Sequence, residues 1–96
     1  MSDTIVTTRV PTANARRYML QLCKHWGHKF TVTYDDHHGE IALPAGACKL
    51  DAGEDALSVR LEAKEADSVP RFKEVVEEHI KRFAFREELV FDWQGA

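Results

Sequence analysis

Cys23, Lys24, His25, Trp26, His28 and Lys29 fall within seven positions, gathering a thiol, two imidazoles, two ammonium groups and an indole. Two imidazoles three residues apart at a helix end can converge on one transition metal, with a nearby thiolate or carboxylate completing the set. The plainer reading is that Lys24 and His25 offset the negative end of a helix dipole while His28 satisfies the last helix carbonyls. His79, on the apolar edge of a later helix, is a candidate third imidazole for a metal set of His25, His28 and His79, or else a boundary residue of the core. His37 and His38 sit beside Asp35 and Asp36, a pattern that suits either a weak divalent-metal site or a solvated turn.

A second basic stretch, Lys81, Arg82 and Arg86, is interleaved with Phe83 and Phe85. If it meets the first, Lys24, His25, Trp26, His28, Lys29, Arg82 and Arg86 would form one anion-binding corner. Arginine forks suit carboxylate, phosphate and catecholate- or hydroxamate-type oxygens, and Trp26, Phe83 and Phe85 would supply an apolar wall. The alternative is that Arg86 pairs with Glu87 or Glu88 and the lysines are solvated. Cys23 and Cys48 fall on inward-facing positions and read as small hydrophobes, since a catalytic thiol needs an electropositive, partly open setting. There is no CxxC, GxGxxG, Walker A or HExxH pattern.

The elements that would position these groups follow from periodicity. The β-branched run Thr4 to Val10 predicts a strand with Val6, Thr8 and Val10 on one face, ended by Pro11. With Thr12 placed to cap it, a helix follows, and its apolar stripe is Ala15, Tyr18, Met19, Leu22, Cys23 and Trp26. Gly27 is expected to cap it in the left-handed conformation. Lys29 to Tyr34 alternates with Phe30, Val32 and Tyr34 inward. A turn at Asp35 to Gly39 leads to Ile41 and Leu43, and after Pro44-Ala45-Gly46 come Cys48 and Leu50. Beyond the turn at Asp51 to Asp55, Leu57, Val59, Leu61 and Ala63 form the most regular strand pattern. A second helix begins near Asp67 or Ser68 with Pro70 in its first turn and a stripe of Val69, Phe72, Val76, His79 or Ile80, and Phe83. Leu89, Phe91 and Trp93 predict a last inward-facing strand, and Gly95-Ala96 a frayed end. One-sided helices and a meander joined by short turns predict an α+β fold: a single, mainly antiparallel sheet in the order β-α-β-β-β-β-α-β, with both helices on one face.

At 96 residues the chain is expected to be one domain, 1–96. Its formal charge of −3 speaks against a generic binder of nucleic acid or of anionic membranes. No apolar run reaches membrane-spanning length, and Met1-Ser2-Asp3-Thr4 lacks the form of a signal peptide, so a cytoplasmic location with reduced cysteines is expected.

Gln21 to Lys29 and Arg82 to Leu89 resemble signatures of a bacterial family known as domain of unknown function 2218, and the likeness extends over nearly the whole chain. Versions of that domain are joined to flavin-type siderophore-interacting proteins, so the resemblance implies a link to iron handling and assigns no catalytic residue and no cofactor. The first functional expectation is a non-enzymatic binding or accessory module for a small anionic or iron-bearing ligand, or for a siderophore-related protein. The second is a metal-dependent or thiol enzyme using His25 and His28. The third is a structural module, monomeric or forming a homodimer through a sheet face or edge.

Overall fold

A computed structural model describes residues 4–95. The expectations for Met1-Ser2-Asp3 and for Ala96 lie outside the described residues. The elements are β1 (Thr4–Pro11), α1 (Ala15–Gly27), β2 (Thr31–Tyr34), β3 (His38–Leu43), β4 (Gly46–Ala52), β5 (Ala56–Ala63), a 3-10 turn (Ala66–Ser68), α2 (Val69–Phe83) and β6 (Gln94–Gly95). The strands form one antiparallel sheet in the order β2-β3-β4-β5-β1-β6, and both helices cover the same face. The core lies between these layers. Val6 and Val10, Ile41 and Leu43, Cys48 and Leu50, and Leu57, Val59 and Leu61 face it from the sheet. The expected α1 stripe is buried in full, and α2 contributes Val69, Phe72, Val76 and Ile80.

The topology sets how the helices run. β1 and β5 are antiparallel neighbours, with Pro11 opposite Ala56 and Thr4 opposite Ala63. Each strand is followed by a helix that returns across the same face, so α1 and α2 start from opposite ends of the sheet and run antiparallel. The end of α1 therefore lies beside the start of α2.

Three local features depart from expectation. Gly27 is helical rather than left-handed: α1 runs through it, and its cap residue His28 has φ −77°. A Cβ built on Gly27 meets nothing within 4 Å. Gly27→Ala is therefore expected to stabilise the fold by up to about 1 kcal/mol, through lost freedom of the unfolded chain and gained helix propensity. A rise in the urea midpoint at unchanged slope checks it. Tyr34 is 46% exposed although its alternation points it inward, because β2 is an edge strand with one neighbour. The predicted last strand keeps its facing, with Leu89 buried, Phe91 and Trp93 half-buried and Val90 exposed, but only Gln94–Gly95 pair with β1. The Asp92 N–H instead donates to the Thr8 hydroxyl at 3.0 Å, which explains how a threonine is tolerated in the core. Gly95, expected to fray, is paired with Val6.

The uncovered face of the sheet carries cross-strand charge. Lys49 and Arg60 both reach Glu62, at 3.2 and 2.9 Å, and hold its carboxyl below the usual range, Lys49 foremost. His38 lies between Asp51 at 2.8 Å and Glu40 at 3.3 Å, which push its imidazole pKa upward. The Asp35 carboxylate accepts the backbone N–H groups of His37 and His38 and is lowered by them. Asp35 and His38 of this hairpin are thus engaged in a turn and a charge ladder, and Asp36 pairs with Arg16 of α1 at 3.0 Å.

Candidate functional site

A cleft of about 810 Å³ opens where the end of α1 meets the start of α2 and the β3–β4 turn. That volume lies within the range of about 300–1,000 Å³ usual for small-molecule sites. Trp26, on the buried stripe of α1, and Phe72, on that of α2, reach it from below, and Phe30, Leu43 and Pro44 wall it on the sheet side. His25, His28, Lys29 and Arg71 bring positive or titratable groups to it, and among the described residues no acidic side chain lines it. Arg71 pairs with Glu74 one turn on, at 2.8 Å. Both partners are exposed, so that pair stabilises little and can yield the guanidinium to a ligand.

His79 is the orienting residue of this wall. Its ring lies 4.8 Å from that of Trp26 and 5.3 Å from that of His25, centroid to centroid, and His25 in turn lies 6.0 Å from Phe83. Nδ1 of His79 contacts the Val75 carbonyl at 2.7 Å. A carbonyl only accepts, so Nδ1 carries the proton, and in the neutral ring Nε2 is left with a lone pair. His79 is also one of the residues that line the cleft.

The structure brings His25, Trp26, His28 and Lys29 together with His79. It does not bring Arg82 or Arg86 to them. Arg86 borders a separate hollow of about 450 Å³ at the opposite end of the helix pair, with Arg17, Tyr18 and Phe85. Arg82 and Lys24 are exposed and line neither space. The antiparallel course of the helices is the reason: the chain leaving α2 passes the first turn of α1, where Glu87 meets Thr12, Asn14 and Tyr18, and of the last turn of α2 it is the Phe83 ring that reaches back to His25. Sequence reasoning missed Arg71 for the same reason. The available signal was its spacing from Val75 and His79, four and eight residues on, which puts all three on one side of α2.

The second hollow contains a network that the sequence did not suggest. Glu87 accepts from the Thr12 hydroxyl at 3.0 Å, from Asn14 Nδ2 at 2.9 Å and from the Tyr18 hydroxyl. Thr12 also accepts the Asn14 N–H at 3.1 Å, close to its expected capping role, although the helix itself begins at Ala15. The Tyr18 bond foremost, then Asn14, holds the Glu87 carboxyl below its ordinary range, while burial first and Glu87 next push the Tyr18 phenol up.

Both thiols are buried. Burial pushes Cys23 up to about 11 and Cys48 higher still, so both stay protonated near neutrality and offer no nucleophile. A Cβ on Gly39 would stand 2.8 Å from Cys23 Sγ, a measure of how closely that sulfur is covered. Among the described residues, no three histidine, cysteine, aspartate or glutamate side chains are grouped so as to hold a metal ion. No described helix is long and apolar enough to cross a membrane.

No curated protein matches the chain. Among solved structures, the NMR structure of PA4090 from Pseudomonas aeruginosa is similar at 37% identity, covering 95% of each chain with a TM-score of 0.79. A family model described as "Uncharacterized protein conserved in bacteria (DUF2218)" matches residues 7–94, nearly all of the sheet and both helices, and on that match the chain belongs to this bacterial family.

Proposed function

We propose that the domain is a binding module whose cleft between α1, α2 and the β3–β4 turn takes a small anion with a flat apolar body. The observation that supports it is the composition of that wall: Trp26, Phe30 and Phe72 beneath, Lys29 and Arg71 beside them, and no acid among the described residues that line it. Aromatic faces bury the ligand's ring, and the cations meet its carboxylate, sulfonate or phenolate. A neutral His79 with its proton on Nδ1 would have Nε2 as an acceptor for an O–H donor, which would favour a hydroxylated aromatic acid over a plain one. Within that class, a catecholate or an iron-bearing ligand is the finer candidate that the family resemblance supplies.

The test uses two probes of defined chemistry, 1-anilinonaphthalene-8-sulfonate and 2,3-dihydroxybenzoate, followed by amide shifts and by tryptophan fluorescence in a Trp93→Phe background that leaves Trp26. Both are expected to perturb Trp26, Arg71 and His79. Arg71→Ala is expected to weaken binding about tenfold, the loss of one charge-assisted hydrogen bond. Arg86→Ala is expected to leave it unchanged. Binding that depends on Arg86 and ignores Arg71 would move the site to the other hollow and end this reading. Adding ferric ion to the second probe decides the finer point: no gain in affinity removes the iron.

A further inference from the structure

We infer that the β2 edge pairs with a second copy of the chain, antiparallel about a two-fold axis, in a reversible dimer centred on Val32. Among the described residues the edge is open: β2 is the outermost strand and pairs only with β3. Natural sheets guard such an edge by keeping it short or with lysine, proline or a bulge, and of these β2 has only its length of four residues. Thr31-Val32-Thr33-Tyr34 carries neither a charge nor a proline, and its register with β3 is regular.

The ladder shows which groups face outward. Bonded and non-bonded pairs alternate in an antiparallel pair. The Asp35 N–H donates to the His38 carbonyl at 2.8 Å, so Thr33↔Glu40 is bonded, and Val32↔Ile41 and Tyr34↔Gly39 are not. Val32 and Tyr34 therefore turn their N–H and C=O away from the sheet, ready for another strand.

Symmetry and charge then select the register. A two-fold axis normal to the sheet keeps each side chain on its own face, so a residue pairs only with a position of the same parity. Of the centrings that satisfy this and the outward groups, those on Val32 and Thr33 lie at the middle of the strand. Centring on Thr33 sets Val32 opposite the second copy's Tyr34 and carries Lys29 beyond Asp35, to the His37 side of the hairpin turn. Centring on Val32 sets Tyr34 opposite Phe30 and brings Lys29, in the turn just before the strand, toward the second copy's Asp35 just after it. Only the second joins the basic start of β2 to its acidic end, and it does so twice by symmetry. It also covers Tyr34, which is 46% exposed, together with the half-buried Val32 and Phe30. The Phe30 N–H is already given to the Trp26 carbonyl at 2.8 Å, so Phe30 contributes its carbonyl to the second copy's Tyr34. A four-residue edge falls short of the roughly 1,200 Å² that a lasting interface buries, which makes the dimer reversible.

Sedimentation velocity across about 20 µM to about 1 mM reads the association, a range suited to so small an interface. The weight-average mass is expected to rise from 11.0 kDa toward twice that value, and less so in high salt. Val32→Pro removes the outward N–H without touching a β2–β3 bond and is expected to stay monomeric throughout. Tyr34→Lys places a charge on the edge and is expected to do the same; it decides alone if the proline variant fails to fold. A mass that stays at 11.0 kDa in the unaltered chain at the highest concentration overturns the inference. So does a dimer that survives whichever of these variants fold. Ligand binding at Arg71 does not enter the measurement, so failure here and failure of the cleft are read separately.

Discussion

Gly46→Ala is expected to cost at least about 3 kcal/mol, seen as a fall in Tm of about 15 °C or more for a domain of this size. Gly46 has φ +147°, where L side chains are strained. The space is closed as well: a Cβ there would stand 2.0 Å from the Glu62 carbonyl oxygen and 3.0 Å from the Ala63 Cα. Those obstacles are backbone atoms of β5, which cannot rotate aside, so β4 must leave β5 or the turn must reshape. Leu43↔Gly46 closes the β3–β4 hairpin and Gly46↔Ala63 ties it to β5, so both pairings are put at risk. The consequence reaches the cleft, because Leu43, Pro44 and Ala45 form its sheet-side wall. Gly46→Ala is therefore expected to lower both stability and affinity for an aromatic anion. Gly27→Ala provides the internal contrast. The exchange of residue types is identical, the neighbourhood is empty, and the expected sign is opposite. Urea unfolding of the two variants side by side checks the argument. A Gly46→Ala protein within about 1 kcal/mol of the parent would show that the hairpin yields more easily than its geometry implies.

The contrast between these glycines marks what the sequence could convey. Periodicity reports which face is buried, and it did so for every α1 stripe residue and for Ile41, Leu43, Cys48, Leu50 and Leu57 through Ala63. It is a local signal, and turns need more. Gly27 ends a periodic run and invites a left-handed cap, yet the chain continues helically through it because the Lys29 and Phe30 amides bond back to the Trp26 carbonyl. Gly46 looks like an ordinary turn residue until β5 lies against it. The candidate site divides in the same way. Residues 25–29 are adjacent in sequence, so their grouping was legible. Arg71 and His79 joined them, and Arg86 did not, because of the direction in which α2 runs. That direction follows from β1 and β5 pairing antiparallel, with Pro11 opposite Ala56, a contact between strands 45 residues apart. The pairing could have been inferred from the short turns between β2 and β5 only after placing β1 beside β5, a choice that nothing local dictates.

Glu87→Ala is expected to cost about 2–3 kcal/mol near neutral pH and to remove part of the protein's loss of stability in acid. Glu87 is the single acceptor for Thr12, Asn14 and Tyr18, and Thr12 and Tyr18 are buried, at 7% and 5% exposure. Alanine leaves those hydroxyls without their partner. The neighbouring hollow admits water, which limits the penalty to a few kcal/mol. The pH dependence has a definite sign. These donors hold the folded-state carboxyl below its ordinary value of 4.5, so the unfolded chain binds the proton more readily. The stabilisation is full above the unfolded value and is lost as pH falls through the lower folded one. A parent-minus-variant stability difference measured by urea unfolding should therefore be flat above about pH 5 and shrink below it. Glu87→Gln keeps a carbonyl acceptor without the charge and should show an intermediate cost with no such shrinkage. The same carboxylate joins the segment after α2 to the start of α1, and that segment leads on through Asp92, bonded to Thr8, to β6. Amide exchange along Leu89 to Gln94 should thus quicken in Glu87→Ala while the α1 interior keeps its protection. Uniformly faster exchange across the whole domain would instead make Glu87 a contributor to global stability alone, and unchanged exchange along Leu89 to Gln94 would deny it the role of clasp.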